Sequence, residues 1–203
     1  MTTFVLATAN PDKAAEIREV LAAAAAPVEL SERDASIADV EETGRTLEEN
    51  ARLKADAICL ATGRPAIADD TGLEVDALGG APGVRSARFA GENATYADNC
   101  SLLLRRLDGV PRDARTARFS TVAIARWPDG REVAAIGTVE GRIAEDPRGG
   151  AGFGYDPLFV PDDGDGRTFA EMTAEEKHAV SHRARAFRTL AAGLRALAEV
   201  GDC

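Results

Sequence analysis

A short apolar run that passes directly into a helix pattern is the feature that most constrains this fold. Phe4–Ala7 is typical of a buried strand, and apolar residues then recur at helical spacing over residues 17–24. Between them, Asn10 is a favourable N-cap. Pro11 suits the first helical position, because the N–H that proline lacks would have no helical partner there. The sequence therefore predicts a β-to-α turn at residues 8–10.

The predicted turn has the chemistry of an anion site. A helix N-terminus favours an anion through its free N–H groups and its dipole. Thr8, Asn10 and Lys13 add a hydroxyl, an amide and an ammonium, all of which can donate to phosphate. An ordinary capped turn would carry the same residues, so this segment alone leaves both interpretations open.

The charge of the chain limits its partners. The 203 residues include 24 Lys and Arg against 34 Asp and Glu, a formal net charge of −10. Because nucleic-acid polymers are bound by basic surfaces, this balance disfavours a nucleic-acid partner. A small polyphosphate that carries a divalent metal remains compatible, since the metal supplies positive charge.

Length and residue usage predict one cytoplasmic domain. A chain of 203 residues that is 45% apolar can bury a core, and we expect a single domain over residues 1–203. Cys59, Cys100 and Cys203 have no metal-like spacing, which favours free thiols in a reducing compartment. With no signal peptide or long apolar run in the sequence, we expect no membrane association.

Helix and strand signals alternate along the chain, which predicts an α/β fold. Capping residues mark four further helix starts, at Thr46, Thr95, Thr173 and Ser181. The helix after Thr95 is predicted to carry its apolar residues on one face, namely Tyr96, Cys100, Leu103, Leu104 and Leu107. Residues 65–68 predict a short apolar strand, and residues 117–127 with 131–143 predict a hairpin.

Two adjacent carboxylates, Asp69 and Asp70, follow the apolar run at residues 65–68. In an extended segment neighbouring side chains point to opposite faces, so one of the two would face a given site. Glu41 and Glu42 offer a second acidic pair in a predicted loop. Carboxylate oxygens are the ligands that Mg²⁺ prefers, and a carboxylate beside the metal can activate water. A solvated turn at Asp69–Gly72 is the alternative.

Glycines crowd residues 149–154, ahead of Pro157. A dinucleotide fingerprint is disfavoured because no helix opens after them, and the chain has no P-loop motif. A mobile glycine loop could present Phe153 to a planar ligand. In the alternative interpretation, Phe153 and Tyr155 lie in the core of a glycine-rich crossover.

Lys177 and the run Ser181–Arg183 are the last polar candidates. If Ser181 caps the final helix, His182 and Arg183 lie in its first turn, where a cation opposes the helix dipole. A bound anionic or acceptor-rich ligand would explain this placement. A solvated, simply capped helix start is the alternative.

Seven segments, taken in order, resemble the inosine triphosphate pyrophosphatase family, whose members hydrolyse non-standard purine nucleoside triphosphates. They are Ala7–Asn10 with Lys13, Glu41–Gly44, Glu48–Ala51 with Lys54, Ala68–Leu73, Gly79–Gly83, Gly152–Pro157, and Lys177 with Ser181–Arg183. Each motif is modest, but their order along nearly the whole chain is specific. Thr71 stands where bacterial members often have Ser, and Ala9 where they often have Gly or Asn.

The resemblance implies an elongated central mixed sheet flanked by helices, two lobes around a nucleotide cleft, and a homodimer. It implies an Mg²⁺-dependent pyrophosphatase that cleaves dITP, ITP, XTP or dXTP to the monophosphate and pyrophosphate, and so cleanses the nucleotide pool. By matching position, it makes Asp70 the general base and makes Glu41 and Asp70 the metal ligands.

The resemblance also implies a substrate-binding set. It comprises Thr8, Ala9, Asn10, Pro11, Asp12, Lys13, Lys54, Thr71, Phe153, Gly154, Tyr155, Asp156, Lys177, His182 and Arg183. Within it, Thr8–Lys13 with Lys54 would hold the triphosphate, and the residues from Phe153 onward would hold the base and the rest of the nucleotide. Arg183 and His182, as donors, would pair with the C6 oxygen of hypoxanthine and disfavour the amine of adenine.

Two other functions are compatible with parts of the sequence. A Maf-like pyrophosphatase would act on pyrimidine or other modified nucleotides, and the segments Phe153–Asp156 and Ser181–Arg183 weigh against it. A non-catalytic nucleotide-binding regulator would keep the phosphate and base contacts but would not need the acid at Asp70.

Overall fold

Seven strands and five helices make up the part of the chain that the computed structural model describes, residues 2–201 with side chains through residue 199. The strands are β1 (Thr2–Leu6), β2 (Val28–Glu32), β3 (Ala66–Val75), β4 (Pro82–Gly83), β5 (Thr116–Arg126), β6 (Glu132–Ile143) and β7 (Phe159–Pro161). The helices are α1 (Pro11–Ala23), α2 (Leu47–Thr62), α3 (Tyr96–Arg106), α4 (Ala174–Val180) and α5 (His182–Gly201). Cys203 lies outside the described residues, so its free thiol stays a prediction.

The strands form one open, mixed sheet in the order β2-β1-β3-β5-β6-β7, with β4 paired to β3. β1 runs parallel to both β2 and β3, and the chain reaches those strands through α1 and α2. β4 is antiparallel to β3, and β7 is antiparallel to β6. The predicted α/β fold with a mixed sheet is confirmed.

Local capping signals place the helices where the sequence predicts them. Asn10 caps α1 and Pro11 is its first residue. Thr46 and Glu49 form a capping box ahead of α2, which ends at Gly63 in the left-handed region at φ 65°. Each cap satisfies N–H or C=O groups that a helix end leaves without a helical partner, so these short motifs fix the helix bounds.

β3 differs most from the sequence-based expectation. The short strand predicted at residues 65–68 continues through Asp69 and Asp70 to Val75, and Leu73 pairs with Gly83 of β4. The two carboxylates therefore lie within a strand and not beyond its end. Both are buried, so the solvated-turn interpretation of Asp69–Gly72 is wrong.

The described chain divides into two compact units. Unit 1 takes the described residues of Met1–Asp70, Thr121–Gly137 and Arg183–Cys203, and unit 2 takes Thr71–Ser120 and Thr138–His182. Each unit has its own apolar core: Phe4, Ile17 and Phe187 are buried in unit 1, and Leu103 and Phe169 are buried in unit 2. The assignment of residues 1–203 to one domain stays a prediction. No helix within residues 2–201 combines the length and apolar character needed to cross a membrane.

Candidate active site

The turn between β1 and α1 is held by its own side chains. Asn10 Oδ1 accepts hydrogen bonds from the backbone N–H groups of Asp12, at 2.9 Å, and Lys13, at 3.2 Å. Thr8 Oγ1 accepts a hydrogen bond from the N–H of Asn10 at 3.1 Å. The N–H groups of Asp12 and Lys13, which an anion at the helix N-terminus would use, are therefore already bonded to Asn10. Lys13 remains as the cationic side chain of the turn.

Asp69 lies between two cations of unit 1, the partly buried Lys13 and the buried Arg183. Its Oδ2 is 3.4 Å from Lys13 Nζ and 3.6 Å from Arg183 Nε. Burial acts to raise the pKa of Asp69, but the charges of Lys13 and Arg183 outweigh burial and hold that pKa at about 2. In turn, burial lowers the pKa of Lys13, and Asp69 opposes that shift. Asp69 is therefore a carboxylate that stays ionised near neutral pH and offsets the charge of these cations.

Asp70 meets a different set of partners, as the alternation of side chains along a strand predicts. Its Oδ1 accepts a hydrogen bond from Lys54 Nζ at 3.1 Å, and its Oδ2 accepts one from Asn50 Nδ2 at 3.2 Å. Burial raises the pKa of Asp70, although the charges of Lys54 and Lys13 oppose the shift. Asp70 therefore takes up a proton more readily than an ordinary aspartate. Paired groups whose pKa values are driven apart are typical of acid–base sites.

Lys54 joins Asp70 to a second carboxylate. Lys54 Nζ donates to Glu42 Oε1 at 2.9 Å as well as to Asp70. Burial acts to lower the pKa of Lys54, but Asp70, Asp69 and Glu42 outweigh burial and raise it. Glu42 and Asp70 thus approach the same positive charge.

These carboxylates fit the chemistry of a magnesium site. Two carboxylate oxygens near one cation form a hard donor set of the kind that Mg²⁺ prefers. Glu41, the predicted ligand, is exposed, and its neighbour Glu42 is the residue that shares Lys54 with Asp70. Within residues 2–201 no group of three or more His, Cys, Asp or Glu side chains is arranged to hold a metal. A bound Mg²⁺ would therefore need substrate or water oxygens to complete its shell.

Arg183 is placed among acidic groups in unit 1. Its side chain is 2% exposed, and its Nη1 donates to Glu16 Oε2 of α1. Together with Asp69, Glu16 surrounds the guanidinium with negative charge, which explains a cation in the first turn of α5 despite the helix dipole. The predicted contact of Arg183 with a base stays a prediction.

A buried ion pair lies at the centre of the candidate residues in unit 2. Lys177 Nζ donates to Asp156 Oδ2 at 2.6 Å, and both side chains are buried. The ammonium also lies 5.0 Å from the ring centroid of Phe153 and 5.7 Å from that of Phe169. A cation at these distances is attracted by the aromatic rings. Unit 2 thus presents an ammonium and a carboxylate among aromatic rings.

The glycine-rich loop at residues 149–154 is shaped by Asp156. The N–H of Phe153 donates to Asp156 Oδ2 at 2.9 Å. Gly152 has φ +71°, and a Cβ there would lie only 2.1 Å from Asp156 Oδ2. Glycine is required at this position for both its positive φ and the close approach of Asp156.

The two aromatic residues of the loop have different environments. Tyr155 is buried, and its hydroxyl donates to the carbonyl of Ser86 at 2.9 Å; burial raises the pKa of Tyr155. Phe153 is only partly buried. The core interpretation therefore holds for Tyr155, while the Phe153 ring stays partly accessible. His182 is buried in a stack on Phe119, with ring centroids 4.5 Å apart and an interplanar angle of 13°.

The structure sorts the predicted residues into two groups. The predicted site residues in unit 1 include Thr8, Asn10, Lys13, Lys54, Asp70 and Arg183. Ala9, Pro11 and Asp12 belong to the same unit and are exposed. In unit 2 they are Thr71, Phe153, Gly154, Tyr155, Asp156, Lys177 and His182.

Contacting residues outside the predicted site set include Asp69, Glu16, Glu42, Asn50 and Phe169. Glu42 and Asn50 lie inside segments that carry the family resemblance, which was the available signal. Glu16 contacts Arg183, a residue 167 positions away, and no local pattern indicates such a partner.

Comparison with known proteins identifies the family. A sequence profile of the Ham1 family matches residues 4–193. A dITP/XTP pyrophosphatase of Streptomyces coelicolor is 48% identical over 199 residues, which cover 97% of this chain and 99% of that protein. A dITP/XTP pyrophosphatase of Bacillus subtilis is 44% identical, with 94% of this chain and 96% of that protein covered.

Solved structures agree with the sequence comparison. The structure of a HAM1 protein from Coxiella burnetii superposes with a TM-score of 0.86 at 40% identity, covering 96% of this chain and 99% of that one. The chain is thus an α/β protein with an open, mixed sheet and the same fold as that structure. Within that class, the chain belongs to the Ham1 family.

Proposed function

We propose that this protein hydrolyses dITP, XTP and related non-standard purine nucleoside triphosphates to the monophosphate and pyrophosphate. The observation that carries the proposal is the pair Asp69 and Asp70, adjacent buried carboxylates with separate partners. Asp69 contacts Lys13 and Arg183, and Asp70 accepts hydrogen bonds from Lys54 and Asn50. Asp69 holds Lys13 and Arg183 in place, whereas Asp70 is suited to accept a proton. The relatives named as dITP/XTP pyrophosphatases support the choice of substrate.

In the proposed reaction, Asp70 orients a water molecule and accepts its proton as the water attacks the α-phosphorus. The bond between the α-phosphorus and the oxygen that bridges it to the β-phosphorus breaks, and pyrophosphate leaves with that oxygen and the bonding electron pair. Hydrolysis of a triphosphate depends mainly on positioning and on neutralising charge. Lys13, Lys54 and Arg183 supply fixed positive charges in unit 1, and Asp69 keeps two of them in place.

Mg²⁺ is the proposed cofactor. Asp70 and Glu42, with the exposed Glu41 as a further candidate, are the residues that would hold it. When bound, the ion would neutralise charge on the phosphate oxygens. Lys54, which donates to both Asp70 and Glu42, holds these two carboxylates near one position.

The residues of unit 2 are proposed to bind the purine base. Phe153 offers a partly accessible ring for stacking. Lys177 is a donor, so it would pair with the C6 oxygen of hypoxanthine or xanthine and would meet the amine of adenine donor to donor. Asp156 holds the Lys177 ammonium at 2.6 Å and so fixes the donor.

Homodimer formation and a cytoplasmic location are further parts of the proposal. Leu60 and Ile136 of unit 1 are 89% and 60% exposed, so they offer apolar surface for a second copy. Cys59 and Cys100 are free and buried, which is compatible with a reducing compartment.

The test is release of pyrophosphate from a panel of triphosphates with MgCl₂. We expect kcat/KM for dITP and XTP to exceed that for ATP by about 100-fold or more, since a site that hydrogen-bonds a substrate group rejects an analogue that cannot pair with it. Asp156→Asn, which keeps the size of the side chain but removes the charge that fixes Lys177, should reduce this ratio.

The rival functions give different results in the same assay. A preference for UTP or another pyrimidine triphosphate would support a Maf-like pyrophosphatase instead. Binding of dITP without release of pyrophosphate would support a nucleotide-binding regulator. Either result would contradict the proposal.

A further inference from the structure

Helix α3 contacts the glycine-rich loop at two points that are one helical turn apart. The Tyr96 ring lies 5.9 Å from the Phe153 ring, centroid to centroid, with an interplanar angle of 39°. Four residues later, Cys100 Sγ donates to the carbonyl of Gly154 at 3.3 Å. Residues i and i+4 lie on the same face of a helix, so one face of α3 contacts the loop at both Phe153 and Gly154.

The start of α3 is a firmly held element. Thr95 Oγ1 accepts a hydrogen bond from the N–H of Asp98, and Asp98 Oδ2 accepts one from the N–H of Thr95 at 2.9 Å. Tyr96 is the first residue of α3 and lies between the two residues of this capping box. Phe153, by contrast, lies between Gly152 and Gly154, which both have positive φ. Tyr96 therefore brings a fixed ring to a residue whose own backbone neighbours are conformationally permissive.

Tyr96 also departs from the packing of its helix face. Cys100, Leu103 and Leu107 of the same apolar face are buried, whereas Tyr96 is 42% exposed. Burial in the core thus does not account for a large aromatic residue at this position. Its ring contact is with Phe153, the residue proposed to stack on the base.

We infer that Tyr96 is a positioning residue for the purine base, acting through the ring of Phe153. Lys177 Nζ lies 5.0 Å from the centroid of that ring, and Tyr96 packs beside it. Together they hold the Phe153 ring in one orientation, so that a base stacks without first having to order the loop. This inference rests on the proposed function, because it assumes that Phe153 stacks on a purine.

The test compares Tyr96→Ala with Tyr96→Phe, which keeps the ring. Truncating an aromatic side chain that stacks on a base weakens binding by about 5- to 150-fold. Tyr96→Ala leaves the Phe153 ring in place and removes its support, so KM for dITP should rise by about 5-fold, the lower end of that range. Its kcat should stay within about twofold, because uniform binding affects KM alone. Tyr96→Phe should match the wild type, as should Leu197→Ala, a substitution at a residue of α5 that is 41% exposed.

Calorimetry with dIMP and with inorganic pyrophosphate separates this inference from the proposed function. Tyr96→Ala should weaken dIMP binding by the same factor and leave pyrophosphate binding unchanged. If the wild type hydrolyses dITP while Tyr96→Ala binds dIMP normally, the inference fails and the function stands. Equal weakening by Tyr96→Phe, or equal loss of pyrophosphate binding, would also overturn it. A wild type that neither binds dIMP nor hydrolyses dITP would refute both.

Discussion

Asp69 and Asp70 are consecutive residues of one buried strand, and their surroundings give them different properties. Asp69 is ionised because Lys13 and Arg183 lie close to it. Asp70 has a raised pKa because the effect of burial outweighs that of Lys54, the one ammonium at hydrogen-bond distance from it. The extended backbone makes this separation possible, since it points the two side chains to opposite faces. The same residue type can therefore serve as a fixed charge at one position and a proton acceptor at the next.

Substituting each carboxylate by its amide should separate stability from activity. Asp69→Asn leaves Lys13 and Arg183 without their shared carboxylate and should lower the free energy of unfolding by about 3 kcal/mol. Asp70→Asn removes a charge that burial disfavours, while Lys54 keeps Glu42, so its stability should equal or exceed that of the wild type. Its kcat should fall by about 10²- to 10⁴-fold, as for loss of a general base.

Urea unfolding monitored by circular dichroism, together with the pyrophosphate assay, measures both effects. A stable, inactive Asp70→Asn beside a destabilised Asp69→Asn is the expected pattern. Near-normal turnover by Asp70→Asn would remove that residue from its proposed role.

Asp69 should also make the stability of the protein depend on pH in the acid range. Its pKa is about 2 in the folded chain against an ordinary value of 3.8, so its contribution is fully present above 3.8 and is lost as the pH falls toward 2. The free energy of unfolding of the wild type should therefore fall more steeply over this interval than that of Asp69→Asn. Parallel pH profiles for the two proteins would show that Asp69 is not held ionised by its neighbours.

At the scale of the elements, sequence predicts what short-range interactions decide. The caps at Asn10, Thr46 and Thr95 lie within three residues of the N–H groups that they bond, so their pattern is visible in the sequence. The full length of β3 was not predicted, because Asp69 and Asp70 are stabilised by partners on other elements.

The same limit applies to the candidate site. The family motifs include Asp70, Lys13 and Lys54, and the structure places these three residues in one unit. The contact of Glu42 with Lys54 depends on how a loop folds against α2. Likewise, a helical pattern assigns Tyr96 to the apolar face of α3 and does not reveal that its ring meets Phe153. Long-range pairing determines these contacts, and short sequence patterns do not encode it.

The glycine-rich loop allows a matched comparison of two glycines. Gly152 and Gly154 have φ +71° and +63°, so an alanine is strained by a similar amount at each. Only at Gly152 would the added Cβ meet another group, Asp156 Oδ2, whereas nothing lies within 4 Å at Gly154. Gly152→Ala should therefore displace Asp156 from Lys177 and lower kcat/KM for dITP by about 10-fold more than Gly154→Ala does. Equal losses in the two variants would show that backbone strain, and not the position of Asp156, limits activity.

At the scale of the whole molecule, each unit holds its candidate residues on segments that are distant in sequence. In unit 1, Arg183 of α5 contacts Glu16 of α1 and Asp69 of β3. In unit 2, Tyr155 bonds to the carbonyl of Ser86, and Lys177 bonds to Asp156. Assembly of either group therefore requires its unit to be folded, so we expect both groups to be lost together with the fold.

Association of two chains is the prediction that belongs to the whole molecule. Light scattering at micromolar concentration should give a mass near twice the 21.3 kDa of one chain. Replacing the exposed Leu60 and Ile136 by Asp should lower that mass if these side chains contribute to the interface. A wild-type mass of one chain would contradict the proposed homodimer.

Hydrolysis of dITP in ¹⁸O-labelled water tests the central claim most directly, because it locates the phosphorus that the water attacks. The account predicts dIMP and pyrophosphate in equal amounts, with the label in dIMP, and loss of both products in Asp70→Asn. Label in pyrophosphate, or release of orthophosphate with dIDP, would contradict attack at the α-phosphorus.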